Sequence, residues 1–174
     1  MLRLILPNTR VDPLDGPVIY LAGPIIGAPK WQGEAVAILH TLDPDLFVAS
    51  PSTRLPEDQK RAQVKGNQPN FTDQLTWERY YMEMASKQGA ILFWLPVEKQ
   101  HDCNHPYARD TRGELGEWRG RLAYDKDLRV VIGREEGFDT HYVIQRNYQT
   151  VVPGIKFYSS LDETCTEATR LARQ

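Results

Sequence analysis

A chain of 174 residues is long enough for one domain with a real core and too short for two comfortable ones. Apolar residues make up 41% and charged residues 25%, the balance of an ordinary folded domain. A net charge of -2, with no clustered excess of Lys and Arg, argues against nucleic-acid and membrane-surface partners.

Small anions stay open as ligands, because helix ends and single arginines hold them whatever the net charge. Cys103 and Cys165 are too few and too far apart for a disulfide framework, which points to a cytoplasmic home. The apolar run Met1 to Pro7, broken by Arg3 and Pro7, is too short for a signal peptide or a membrane span. Residues 1–17 read as an N-terminal extension of a single domain covering 1–174.

Val18 to Ile25 reads as a buried strand of β-branched and aromatic residues, stopped by Gly23-Pro24. Trp31 to Leu42 has the periodicity of a helix, and Leu46 to Ala49 that of a second strand. Thr53 to Thr72 is a long polar loop, a length that usually serves function or motion. Asp73 caps a helix running to Lys87. Ala90 to Leu95 is the most apolar run and predicts a central strand, ended by Pro96. After a second polar loop, Val97 to Asp110, come a helix (Thr111 to Ala123), a strand (Arg129 to Gly133) and a short helix (Asp139 to Gln149). A last strand, Lys156 to Ser160, leads into a last helix, Asp162 to Ala172, with a Ser/Asp cap.

Strand and helix alternate five times, which predicts an α/β three-layer sandwich: a five-stranded parallel sheet, flavodoxin-like, in the order 2-1-3-4-5. Ligands of such sheets bind beyond the carboxyl ends of the strands, where strand order reverses. That point falls between the first and third strands, under the loops Gly23 to Lys30 and Val97 to Asp110.

Three sequence clusters carry candidate chemistry. In Leu21-Ala22-Gly23-Pro24-Ile25, Gly23 lets backbone approach a ligand and Pro24 stiffens the turn; a plain strand-to-helix turn explains the same residues. In Thr111-Arg112-Gly113-Glu114-Leu115-Gly116, Glu114 falls in the first turn of a helix. The helix dipole there favours an ionised, nucleophilic carboxylate, and Gly113 and Gly116 leave room beside it. A capping box from Thr111 to Glu114 fits the same spacing. In Gln74-Leu75-Thr76-Trp77-Glu78, Glu78 points toward the same cleft. Cleaving a glycosidic bond takes one carboxyl group to attack and one to donate a proton, and Glu78, Asp110 and Asp102 are the available partners for Glu114. Trp77 and Trp31 are candidates for stacking on a base or sugar, with core packing as the alternative. Arg112 and the amides opening its helix are candidates for a 5′-phosphate, or Arg112 is an ordinary surface arginine. His101, Cys103 and His105 are too closely spaced to make a good tetrahedral metal set unaided, and Cys165 reads as inert. No G-x-S-x-G elbow, Walker loop or GxGxxG is present.

Together these residues resemble the nucleoside 2-deoxyribosyltransferase family, in its broader deoxyribosyltransferase-like branch. The matching stretches are Ile19 to Ile25, Trp31, Gln74-x-x-Trp77-Glu78, Ile91-x-Phe93-Trp94-x-Pro96 and Thr111-x-x-Glu114-Leu115-Gly116, in the family's order over roughly residues 18–135. The resemblance implies a flavodoxin-like fold and cleavage or transfer at the N-glycosidic bond of a nucleoside or nucleotide, with retention. It implies Glu114 as nucleophile, Glu78 as the acid that meets the base, and Asp110 as the nearest match to an orienting Asp, at a shorter spacing than in the well-known transferases. It also implies a homodimer or larger homo-oligomer, with Asn147 a candidate for a residue donated to a neighbour's site, and no metal or organic cofactor. The competing class is a non-catalytic nucleotide-binding module of the same fold. A flavodoxin-type redox protein fits worse, because no Ser/Thr-rich phosphate loop follows the first strand.

Overall fold

The structure, a computed structural model, describes residues 3–174. Met1 and Leu2 of the N-terminal apolar run lie outside the described residues. The strands are β1 (Arg3–Ile5), β2 (Val18–Ala22), β3 (Phe47–Ala49), β4 (Gly89–Leu95), β5 (Val130–Arg134) and β6 (Phe157–Tyr158). The helices are α1 (Trp31–Leu42), α2 (Glu57–Arg61), α3 (Gln74–Gln88), α4 (Arg109–Tyr124), α5 (His141–Val151) and α6 (Leu161–Ala172).

All strand pairs are parallel, and the sheet runs β1-β3-β2-β4-β5-β6. The α/β sandwich is therefore as expected and consistent with a flavodoxin-like fold. The count is not: among the described residues there are six strands, and the five-strand order 2-1-3-4-5 gives way to one that starts with an added edge strand. That strand, β1, comes from the presumed extension and pairs with β3 from Arg3↔Phe47 to Ile5↔Ala49. Arg3 disguises it in sequence. Its guanidinium lies over the Phe47 ring at 4.9 Å and pairs with Asp15 at 2.7 Å, so a charged residue sits comfortably on an edge strand.

Every residue of β2 and β4 is buried, with alternate side chains entering opposite layers. Tyr20, Ala22, Ile91 and Phe93 pack against Trp77 and Tyr81 of α3, Leu115 and Trp118 of α4 and Tyr148 of α5. Ile19, Leu21, Leu92 and Trp94 pack against Trp31, Ala35 and Leu39 of α1 and Cys165 and Ala168 of α6. Burial pushes the Cys165 thiol up to about 12, so it stays protonated and unreactive.

The stretch 53–72 also departs from a plain loop. It contains α2, and beyond it the chain runs beside the N-terminal segment, joined by Val64 N–H to Leu4 O (2.9 Å), Asn67 N–H to Arg10 O (3.0 Å) and Phe71 N–H to Asn8 O (2.9 Å). The N-terminal segment is in turn tied to α3: Trp77 Nε1 donates to Thr9 O at 3.0 Å, and the Tyr81 hydroxyl accepts from Val11 N at 2.9 Å. Among the described residues no helix is long and apolar enough to cross a membrane.

Tyr81→Phe strands the Val11 amide in the core without an acceptor. The expected cost is about 1–3 kcal/mol, read as a lower urea midpoint with an unchanged slope.

Candidate active site

The carboxyl ends of β2 and β3 meet the amino end of α4 around a cleft of about 370 Å³. Its wall takes Tyr20, Ala22 and Gly23 to Ile26 from β2 and the turn after it. Pro51 to Arg54 come from the end of β3, Gln74 and Glu78 from α3, and His105, Ala108 to Thr111 and Glu114 from the approach to α4 and the helix itself. The location is the one expected for a doubly wound sheet.

Each carboxyl group has a structural reason for its place. Asp73 caps α3, accepting from Thr76 N at 2.8 Å, and the helix it starts at Gln74 puts Gln74 and Glu78 on one face, four residues apart. Gln74 Nε2 donates to Glu78 Oε1 at 2.8 Å and reaches Pro51 O at 3.3 Å, which ties Glu78 to the loop after β3. Helix α4 starts at Arg109, two residues earlier than expected, after Ala108 in a left-handed turn (φ 56°), and no side chain caps it. The expected capping box is therefore absent. Thr111 is a buried residue inside the first turn, and Glu114 lies in the second turn, half-buried in the cleft.

That placement also overturns the expected ionisation. Burial, then the nearby charges of Glu78, Asp110 and Glu117, push the Glu114 carboxyl up to about 8. At neutral pH burial and the neighbouring acids keep a proton on it, and the helix dipole, which acts within the first turn, does not offset them, since Glu114 lies beyond that turn. Burial raises Glu78 too; the Gln74 bond pulls it back and Asp110 pushes it further up. Beneath the pair, Tyr20 is buried and held well above the usual phenol range, by burial first and then by Glu78 and Glu114. Asp110 is exposed at the cleft's rim, with Arg109 Nε 3.2 Å from its carboxylate.

Other expected residues have different duties. Trp77 is 0% exposed and Trp31 2%, with Trp31 Nε1 donating to Pro24 O at 2.9 Å; both are core side chains and neither offers a face to a ligand. Gly23 does line the cleft, yet its missing Cβ answers to protein packing. At φ 152° a Cβ would stand 2.3 Å from Trp94 O and 2.8 Å from the Trp31 ring. Pro24 lines the cleft beside it. Arg112 is turned away: it donates to Thr140 Oγ1 and Asp139 O and lies over the Phe138 ring at 4.9 Å, outside the cleft wall. Gly113 borders a second hollow, of about 720 Å³ between α3 and α4, which also reaches Glu78, Asp110 and Glu114. A Cβ at Gly113 or Gly116 would meet nothing within 4 Å. Asp102 closes its own turn onto Asn104 N at 2.8 Å, and Asn147 borders a small hollow with Arg112 and Gly116. Neither joins the carboxyl group. His101 faces Glu98 at 3.2 Å, whereas His105 lines the cleft. Among the described residues no three His, Cys, Asp or Glu side chains stand together as a metal set.

Sequence reasoning missed Tyr20, Arg54 and His105 as cleft residues. Tyr20 had a signal: alternation along β2 puts it on the same side as Ala22, toward α3 and α4.

Two outcomes test this account. Glu114→Gln removes a carboxyl whose anion is costly in the cleft. Below about pH 4.5 the wild-type group is protonated in the folded and unfolded chain alike, and the two proteins melt together. Between about pH 4.5 and 8 the unfolded chain ionises first, so wild type loses ground; above about 8 the gap is constant. The variant gains about 2–4 kcal/mol at pH 9, measured by denaturant titration at both ends of the range. Gly113→Ala, with open space for its methyl, stabilises α4 by roughly 0.5–1 kcal/mol; a lower melting temperature would contradict the open setting of that residue.

No family model, curated protein or solved structure matches the chain.

Proposed function

We propose that this protein cleaves or exchanges the N-glycosidic bond of a nucleoside or nucleoside 5′-monophosphate through a covalent glycosyl ester on Glu114. The observation that carries the reading is one half-buried carboxyl, Glu114, whose anion is made costly by burial and by the fields of Glu78 and Asp110, at the carboxyl end of a parallel sheet. The five motifs that resemble the nucleoside 2-deoxyribosyltransferases support the same chemistry.

Glu114 Oε attacks the anomeric carbon as the bond from that carbon to the base nitrogen breaks. The electron pair of that bond leaves with the base, which takes a proton from Glu78. Positive charge builds on the sugar in the transition state, beside the carboxylate whose negative charge was unwelcome in the empty cleft. The attraction offsets the desolvation that held the proton on Glu114 and favours its passage to Glu78. Water then attacks the ester and gives the free sugar, or a second base attacks and gives a new nucleoside; Glu78 takes up the incoming proton in either case. Exclusion of water after base departure sets the ratio of the two. Pro24, Ile25 and Ile26 give the cleft an apolar stretch for a base to lie on, in place of the tryptophans. The chemistry calls for no metal or organic cofactor. A homodimer or larger assembly in the cytoplasm belongs to the same reading, supported by Leu75, 57% exposed on the hollow between α3 and α4 that reaches the carboxyl pair.

Glu114→Ala abolishes base release from a panel of nucleosides and monophosphates, by at least ~10³-fold, with the far-ultraviolet spectrum and a cooperative melt kept. Natural protein that binds nucleotides yet releases no base from any N-glycoside would make this a binding module instead. The productive pair holds one proton, so kcat/KM is bell-shaped. Its alkaline limb falls as pH rises through about 8, where the pair loses that proton, and its acid limb falls where Glu78 and Glu114 are both protonated.

A further inference from the structure

The carboxyl groups are only part of the cleft. The same wall carries Arg54, His105 and Arg109. Arg54 is exposed on the turn after β3, and its guanidinium has no ion pair or hydrogen bond among the described residues. The turn that presents it is stiff. The Ser50 hydroxyl donates to Ser52 O at 3.1 Å and accepts from Ser52 N at 3.3 Å, and the Ser52 hydroxyl accepts from Arg54 N at 3.2 Å. Both serines are buried, so the turn is fixed before any ligand arrives. Arg109 leans on the exposed carboxylate of its neighbour Asp110 at 3.2 Å, a surface pair that a stronger anion displaces easily. The first turn of α4, uncapped by any side chain, borders the same space.

A cleft with a carboxyl pair on α3 and α4, and a guanidinium without an ion pair among the described residues on a rigid turn from β3, suits a ligand that carries its own charge at a distance from its reacting carbon. A sugar phosphomonoester has that form. A neutral nucleoside leaves Arg54 without a counter-ion. Resting on the glycosidic reading above, we infer that the substrate is a nucleoside 5′-monophosphate, and that Arg54, joined by Arg109 and His105, forms the subsite for its phosphate. The guanidinium matches two phosphate oxygens at once, which a lysine does not. Binding energy from the phosphate, remote from the broken bond, then serves to orient the anomeric carbon against Glu114.

The test compares each deoxynucleoside with its 5′-monophosphate in two measurements. In turnover, the natural protein favours the monophosphate by at least tenfold in kcat/KM; Arg54→Ala cuts that preference tenfold or more, and Arg54→Lys recovers only part of it. In equilibrium titration of Glu114→Gln, which holds ligand without consuming it, the monophosphate binds at least tenfold more tightly than the nucleoside. Arg54→Ala on that background erases the difference, while a matched melting curve verifies the fold. Inorganic phosphate competes only at much higher concentration. Equal handling of nucleoside and monophosphate, or a preference untouched by Arg54→Ala, overturns the subsite and leaves the glycosidic reading standing. Inorganic phosphate binding as tightly as the nucleotide also overturns it. Tight, Arg54-dependent binding of monophosphates with no base release from any of them upholds the subsite and sinks the glycosidic reading.

Discussion

The two central strands, β2 and β4, are sealed on both faces, each residue alternating into one of two apolar layers. Polar chemistry in such a sheet has only the strand ends to occupy, and the fold narrows the choice further. At the carboxyl end the chain leaves β2 toward α1 on one face and β4 toward α4 on the other, so the turns diverge and a hollow opens between them. Gly23 keeps that junction tight: its backbone lies where a side chain would strike the Trp94 carbonyl and the Trp31 ring. The loop after β4 is drawn back across the turn after β2 by Lys99 N–H and Gln100 N–H, both donating to Gly27 O. Tyr107 fastens the same loop to Pro96 O at 2.7 Å. The cleft is thus a consequence of filling the core, and its shape is held by backbone bonds made at its rim.

The same sealing explains the electrostatics. Two carboxyl groups, Glu78 and Glu114, are partly buried in the cleft with Tyr20 as its floor, and a third, Asp110, stands exposed at its rim. Among the described residues no lysine or arginine forms an ion pair with Glu114 or Glu78; the Gln74 amide donates to Glu78. A fold selected for stability alone would place a cation there or an apolar side chain. Holding Glu78 and Glu114 together without a cation between them costs stability at neutral and alkaline pH. The surface shows the contrast. Glu83 faces Lys87 and Arg121, and Glu167 faces Arg170, and both carboxyls are held below the usual range.

Much of the architecture was legible because apolar periodicity is strong from Val18 onward, and five strand–helix alternations leave little freedom of topology. Residues 3–5 were not, since a three-residue strand with a charged member carries almost no periodic signal; its partner β3 and the contact of Leu4 with Gln63 and Val64 define it. The amino end of α4 was misread for a different reason. Thr111 and Glu114 have the spacing of a capping box, but Ala108 takes a left-handed turn that begins the helix sooner, and nothing in the residue type announces it. That shift puts Glu114 beyond the first turn, but burial and the neighbouring acids, not the shift alone, hold its carboxyl above the usual range. The tryptophans were ambiguous from the outset, because stacking and core packing draw on the same side chain; their burial and their bonds to Thr9 O and Pro24 O decide for the core.

In sequence Arg112 is two residues from Glu114 and Arg54 is sixty away, so proximity favours the first. On a helix, however, residues two apart point to different sides. If Glu114 enters the cleft, Arg112 must face elsewhere, and it does, onto Thr140, Asp139 and Phe138. Arg54 reaches the cleft because β3 and β2 are neighbours in a parallel sheet, and their carboxyl ends therefore finish side by side. Topology, rather than nearness along the chain, decides which cation shares a space with which acid.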